Sequence, residues 1–159
     1  MIRIKIISVG KIKEKSLKLL IDEYIKRLSR FAKLEVVEIN DLPVPDNPSE
    51  SEINAVITKE GLEISKYINP RSYVISMCIE GVKKSSEKFA SLLENTQNNF
   101  SEIIFVIGSS HGLSDDIKNK SNFKLSMSDM TFPHNIAKFM LIEQIYRAFK
   151  IINNESYHK

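Results

Sequence analysis

The stretch EIIFVIGSSHG, residues 102–112, decides how the rest of the chain is read. Its apolar run IIFVI is short for a helix and shows no polar alternation, the pattern of a strand covered on both faces in a parallel sheet. Such a strand belongs at the centre of the sheet. Gly108 and Gly112 then bracket a turn, and Ser114 is placed to cap a short helix. Strand, glycine turn and helix start present free backbone N–H groups at the carboxyl edge of the sheet, where α/β proteins bind ligands. The turn has neither the G-x-G-x-x-G spacing of a dinucleotide fingerprint nor the Lys-Ser/Thr ending of a P-loop, and a generic strand-to-helix connection would read the same.

Before this stretch, RIKIISV at 3–9 alternates with β-branched residues at the apolar positions and is broken by Gly10, which predicts a first strand and a turn. Leu17, Leu20, Ile21, Tyr24, Ile25 and Leu28 recur at helical spacing, predicting a helix over 16–31 whose Lys18, Lys26, Arg27 and Arg30 face solvent or phosphate. A second strand at 34–39 runs into DLPVPDNPSE, where Pro43, Pro45 and Pro48 forbid regular structure. Ser49 or Ser51 caps a helix to about residue 68, in which Gly61 costs about 1 kcal/mol relative to alanine. A third strand is predicted at 73–79 with Gly81 in the turn after it, then a helix capped by Ser85 or Ser86 and ending near residue 98. After the central strand come a fifth strand at 123–127 and a long helix that starts at Pro133 and ends near residue 153. The alternation predicts a single α/β domain over 1–159: a mainly parallel sheet with helices on both faces.

Composition bounds the function. A chain of 159 residues with 42% hydrophobic content can bury a core without a disulfide or structural metal. Cys78 is the single cysteine, which excludes an intramolecular disulfide and any multi-cysteine metal site; in a buried strand it reads as an inert thiol. His111, His134 and His158 lie far apart, so no metal is expected, and no G-x-S-x-G elbow is present. The start MIRIKIISVG is too short for a signal peptide and no apolar run approaches a membrane span of about 18 residues, so the expected location is the cytoplasm, with no membrane partner. The net charge is only +3, but it is segregated: residues 1–34 hold ten Lys/Arg against three Asp/Glu, and residues 35–63 hold eight acids against Lys59. The basic segment suits phosphates; it equally suits a solvated helix face.

Two further segments carry chemistry-bearing residues. The loop Ser126 to Thr131 offers backbone donors and acceptors to a purine edge, with Met127 and Met130 as polarizable packing, or is simply a tight connection whose methionines fill the core. His134 after it fits a capping or packing role. The ending Tyr157-His158-Lys159 combines a stacking surface, a proton acceptor and a phosphate contact, or is a frayed terminus.

Taken together, VGK at 9–11, IGSSHG at 107–112, SMSDMTFPH at 126–134, LIEQIYRAFKI at 141–151 and the terminal YHK make the whole chain resemble the ribosomal RNA large subunit methyltransferase H family. The resemblance implies a SPOUT-class fold in which the last third threads into a deep trefoil knot and binds S-adenosylmethionine. It also implies a homodimer that methylates N3 of a pseudouridine in 23S rRNA of the assembled ribosome. Carried over by motif, the cofactor pocket uses Met77, Gly108, Met127, Ser128, Asp129, Met130, Thr131 and Phe132. Tyr157, His158 and Lys159 are expected beside the cofactor at the dimer interface, holding the target nucleotide. Two positions depart from the family: Ser109 stands where a second glycine is common, and Lys138 stands where the last helix has arginine, which loses the bidentate fork for a phosphate or carboxylate.

On this reading His158 is the base that takes the N3 proton, Tyr157 orients or stacks on the ring, and Lys159, Lys11, Lys13, Lys15, Arg27 and Arg30 meet rRNA backbone. Two other readings stay open on the residues alone. One is a nucleotide- or dinucleotide-binding oxidoreductase, suggested by the strand–glycine–helix turns; the other is a non-enzymatic RNA-binding assembly factor, suggested by the basic segment.

Overall fold

The computed structural model describes residues 1–157, so the expectations for His158 and Lys159 lie outside the described residues. Its elements are β1 (Ile2–Val9), α1 (Lys15–Leu28), β2 (Ala32–Ile39), α2 (Glu50–Ser65), β3 (Tyr73–Lys83), α3 (Ser86–Gln97), β4 (Glu102–Ile107), α4 (Asp115–Lys120), β5 (Phe123–Ser126) and α5 (His134–Ile152). The five strands pair in the order β2-β1-β4-β3-β5, every pair parallel, with β4 in the middle. The apolar run of β4 is central because both its faces are covered: all six of its residues are buried.

Strand alternation sorts the core into two clusters. Ile4, Ile6, Ile103, Phe105 and Ile75 join α1, α3 and α5 through Ile21, Leu28, Phe89, Leu93, Leu141, Ile145 and Phe149. Ile7, Val9, Ile104, Val106 and Val74 join α2 and α4 through Ile64 and Ile117. The register that does this pairs Ile6 with Phe105 and Phe105 with Ile75 across three strands. A slip of one residue would turn every one of these side chains to the opposite face. Burying a side chain such as Phe105 contributes about 1.5–3 kcal/mol.

Local chemistry sets the boundaries. Ser49 caps α2 with a complete capping box: its hydroxyl accepts from the Glu52 N–H at 3.1 Å, and Glu52 accepts from the Ser49 N–H at 3.2 Å. Ser85 and Ser114 cap α3 and α4 in the same way through their hydroxyls. Pro133 stands at the N-cap of α5, where a missing N–H costs nothing.

Two expectations need correction. Gly81 is not in a turn; β3 continues to Lys83, and its register with β5 shifts between Met77 and Val82. A Cβ on Gly81 would stand 2.7 Å from the Leu125 carbonyl carbon and 2.8 Å from the Leu125 nitrogen, so the glycine permits close backbone approach at an irregular pairing. Leu20, assigned to the buried stripe of the first helix, is 42% exposed beside Leu19 at 62%. No helix among the described residues is long and apolar enough to cross a membrane.

Candidate active site

The carboxyl ends of β3, β4 and β5 open onto a cavity of about 830 Å³, within the range of cofactor sites. Met77, Gly108, Met127, Ser128, Met130, Thr131 and Phe132 all line it, so seven residues from three separate segments meet at one place. Asp129 belongs to the same loop but is not among the lining residues; its carboxylate pairs with Lys83 at 2.6 Å and is mostly exposed. The loop is shaped from within: Ser126 Oγ donates to the Ser128 carbonyl at 3.1 Å, and the Met130 N–H donates to Ser128 Oγ at 3.0 Å. Those short-range bonds are the turn-forming use of serine.

The facing wall is the turn after β4. Gly112 has φ +89°, open only to glycine without strain, and its N–H donates to the Ser109 carbonyl at 2.9 Å. At Gly108 the constraint is space: an added Cβ would lie 2.5 Å from the Gly112 carbonyl oxygen. Behind the turn sits Glu60, buried on α2, which accepts from Ser109 Oγ at 3.0 Å and from the Leu42 N–H at 3.4 Å. The serine that departs from the family's glycine therefore points its hydroxyl away from open solvent and onto a helix carboxyl.

Several lining residues were not foreseen. Ile79 closes the expected third strand, Glu80 lies where β3 runs on past that end, and Lys118 reaches the cavity from α4. Lys118 and Glu80 form an ion pair there, which holds the Glu80 carboxyl below and the Lys118 ammonium above their ordinary values. Cys78 also lines the cavity, half-buried rather than sealed in the core, and burial pushes its thiol up, with Glu80 adding to the effect. His134 lines the cavity while its ring packs against Gly10, where a Cβ would come within 2.6 Å of Nε2. No group of three or more His, Cys, Asp or Glu able to hold a metal exists among the described residues.

Tyr157 is not among the residues lining this cavity. Its hydroxyl donates to Glu143 Oε1 at 3.1 Å and lies 3.3 Å from the Tyr24 hydroxyl; its ring packs edge-on against Tyr146 and under the Arg147 guanidinium. Burial, with help from Tyr24 and Glu143, pushes the phenol well above its ordinary value. Among the cations expected on RNA, Lys11, Lys13 and Lys15 are exposed without an ion-pair partner among the described residues. Arg27 pairs with Glu23 at 3.1 Å and stacks on Tyr24, and Arg30 pairs with Glu155 at 3.1 Å. Lys138 is fully buried and bonds Glu38 at 3.1 Å, so the contact it makes is with a carboxylate and not with a phosphate.

The fold and the cavity define an α/β protein with a cavity across the carboxyl ends of parallel strands, walled by a glycine turn and a short shaped loop, the place where open α/β sheets bind ligands. A family model described as "Predicted SPOUT methyltransferase" matches residues 2–158, and the chain belongs to the SPOUT methyltransferase family. It is 51% identical over 157 residues to a "Ribosomal RNA large subunit methyltransferase H" of Clostridium botulinum, covering 98% of this chain and 99% of the relative. The protein of the same name from Streptococcus thermophilus is 49% identical over 158 residues, covering 99% of each chain.

Proposed function

We propose that this protein methylates N3 of a pseudouridine in the 23S rRNA of assembled ribosomes, using S-adenosylmethionine, as a cytoplasmic homodimer of single-domain chains. The observation that carries the reading is the cavity at the ends of β3, β4 and β5, in a chain that aligns end to end with relatives named for rRNA methylation. Its walls suit the donor: Met77, Ile107, Leu113, Leu125 and Phe132 supply apolar surface, while the 108–112 turn and the 126–131 loop supply main-chain polar groups. The deep trefoil threading of the last third belongs to the same proposal.

S-adenosylmethionine supplies a methyl group already activated on a sulfonium, so the reaction asks the protein for neither a metal nor a covalent nucleophile. What the chain supplies is position. Holding the attacking nitrogen in line with the methyl carbon is worth up to roughly 7–11 kcal/mol. Met77, Gly108, Met127, Ser128, Met130, Thr131 and Phe132 hold the donor, with Asp129 steadying the loop through Lys83. His158 would take the N3 proton of the base that accepts the methyl group, and Tyr157, which keeps its own proton, would stack on or orient that base.

Tyr157 is not among the residues lining its own chain's cavity and is held instead on Glu143, which supports a dimer in which one copy's ending completes its partner's site. Leu19 and Leu20 on α1 and Ile136 on α5 leave apolar surface exposed for that contact. Lys159 and the exposed Lys11, Lys13 and Lys15 meet rRNA phosphates, joined by Arg27 and Arg30 once they exchange their carboxylates for phosphate.

The test is mass spectrometry of 23S rRNA from cells lacking the protein, with the gene restored as control. Loss of one N3-methylpseudouridine that returns on restoration is expected. An unchanged modification profile would overturn the reading, and calorimetry with S-adenosylmethionine and NAD would then separate an oxidoreductase from a cofactor-free assembly factor. His158→Ala is expected to lower single-turnover methylation far more than donor affinity.

A further inference from the structure

Glu38 stands near the end of the edge strand β2, outside the cavity lining, yet it joins two segments that the proposed reaction uses separately. Its Oε2 accepts from the Ile12 N–H at 2.9 Å and from Lys138 Nζ at 3.1 Å. Ile12 belongs to the exposed basic segment between β1 and α1, flanked by Lys11, Lys13 and Lys15. Lys138 is on α5, one turn beyond His134 on the same face of the helix. The His134 ring in turn rests on Gly10, so the basic segment touches the start of α5 at two places, Gly10 on His134 and Ile12 through Glu38 on Lys138. That same first turn forms part of the cavity wall through His134 and Ala137.

The charges make the link specific. Lys138 is fully buried, and among the described residues its ammonium has one carboxylate to balance it, Glu38. A buried charge holds its partner firmly, because letting go leaves it unpaired. The Ile12 amide shares the same carboxylate oxygen, so whatever fixes Lys138 fixes Ile12.

We propose that Glu38 and Lys138 are positioning residues that couple filling of the cavity to the placement of the basic segment Gly10–Lys15. A donor that orders the first turn of α5 orders Lys138, and through the shared oxygen of Glu38 it sets the three lysines that would meet RNA. The coupling is reciprocal: RNA held by the segment favours the donor-binding arrangement of α5. The identity of the donor rests on the function proposed above; the mechanical link from α5 to Ile12 does not.

The experiment is amide hydrogen exchange on the full chain, with and without S-adenosylmethionine, read at Ile12 and Lys13. Glu38→Ala alone would leave the Lys138 ammonium buried without a partner and risks unfolding, so the test variant is E38A/K138M, which removes both charges. K138R, which keeps the charge and the donor, serves as rescue. Saturating donor is expected to slow exchange at Ile12 about fivefold or more in the natural protein and in K138R, and to leave it within about twofold in E38A/K138M. Equal slowing in E38A/K138M, or none in a natural protein that calorimetry shows to bind the donor, would overturn the coupling. If calorimetry shows no binding at all, the proposed function fails instead. The donor-free comparison still decides the link: faster Ile12 exchange in E38A/K138M than in the natural protein supports it, and equal exchange refutes it.

Discussion

Ser109 Oγ donates a 3.0 Å hydrogen bond to Glu60 Oε1, and so fastens the turn behind the cavity to a carboxyl that is only 3% exposed on α2. Glu60 also receives the Leu42 N–H at 3.4 Å from the proline loop, a longer contact that cannot replace the serine. Ser109→Ala leaves a buried acceptor short of its donor, which costs roughly 1–3 kcal/mol. Urea denaturation is expected to show that loss, and S-adenosylmethionine titration a weaker affinity, because the 108–112 turn is no longer held from behind. Unaltered affinity with lowered stability would mean that the bond supports the fold and not the site.

Gly81→Ala tests the approach of β3 to β5. The new methyl group would stand 2.7 Å from a backbone carbon of Leu125, and backbone cannot swing aside as a side-chain end can. Overpacking of this kind costs about 1–3 kcal/mol or more. Because β5 leads directly into the loop 126–131, the melting temperature and the donor affinity are expected to fall together. A variant that melts normally would show that the strands part without effort.

The contrast between these two positions shows what was legible in the chain. The central strand, the cap at Ser114, the start of α5 at Pro133, and the caps of α2 and α3 to within a choice of two serines are local chemistry, and each was readable from a few consecutive residues. Gly81 was misread because a glycine past an apolar run looks the same in a turn and in an irregular strand; only the backbone of Leu125 distinguishes them. The cavity residues came from motif resemblance, since nothing in periodicity joins Met77 to Thr131. Glu60, Glu38 and Lys118 were out of reach for a related reason: an acid or a lysine on an amphipathic helix or an edge strand reads as solvated, and its partner lies 49, 26 or 38 positions away.

Cys78 reports on the location of the donor. Its thiol is pushed up by burial, so the thiolate fraction at neutral pH is smaller than for a free cysteine, and alkylation by a maleimide is expected to be slow and to accelerate as pH rises. It lines the cavity and is the only cysteine, so mass spectrometry reads a single site. S-adenosylmethionine is expected to slow the reaction at least severalfold further. An unchanged rate at saturating donor would place the ligand elsewhere.

Tyr157 provides the test at alkaline pH. The folded protein holds its phenol above the ordinary value of about 10, through burial and through the bonds to Tyr24 and Glu143. A group raised in this way contributes stability that is fully present below its unfolded value and is lost as pH climbs through the folded one. The melting temperature is therefore expected to decline from about pH 10 upward, more steeply in the natural protein than in Tyr157→Phe. At neutral pH the phenylalanine variant gives up the hydrogen bonds to Glu143 and Tyr24, about 0.5–1.5 kcal/mol each, while Arg147 still pairs with Glu143 at 2.6 Å. The same raised phenol cannot serve as the ionised base near neutrality. The pH–rate profile of methylation should thus keep its shape in Tyr157→Phe while its height falls, and a lost inflection below pH 9 would assign the proton transfer to Tyr157 after all.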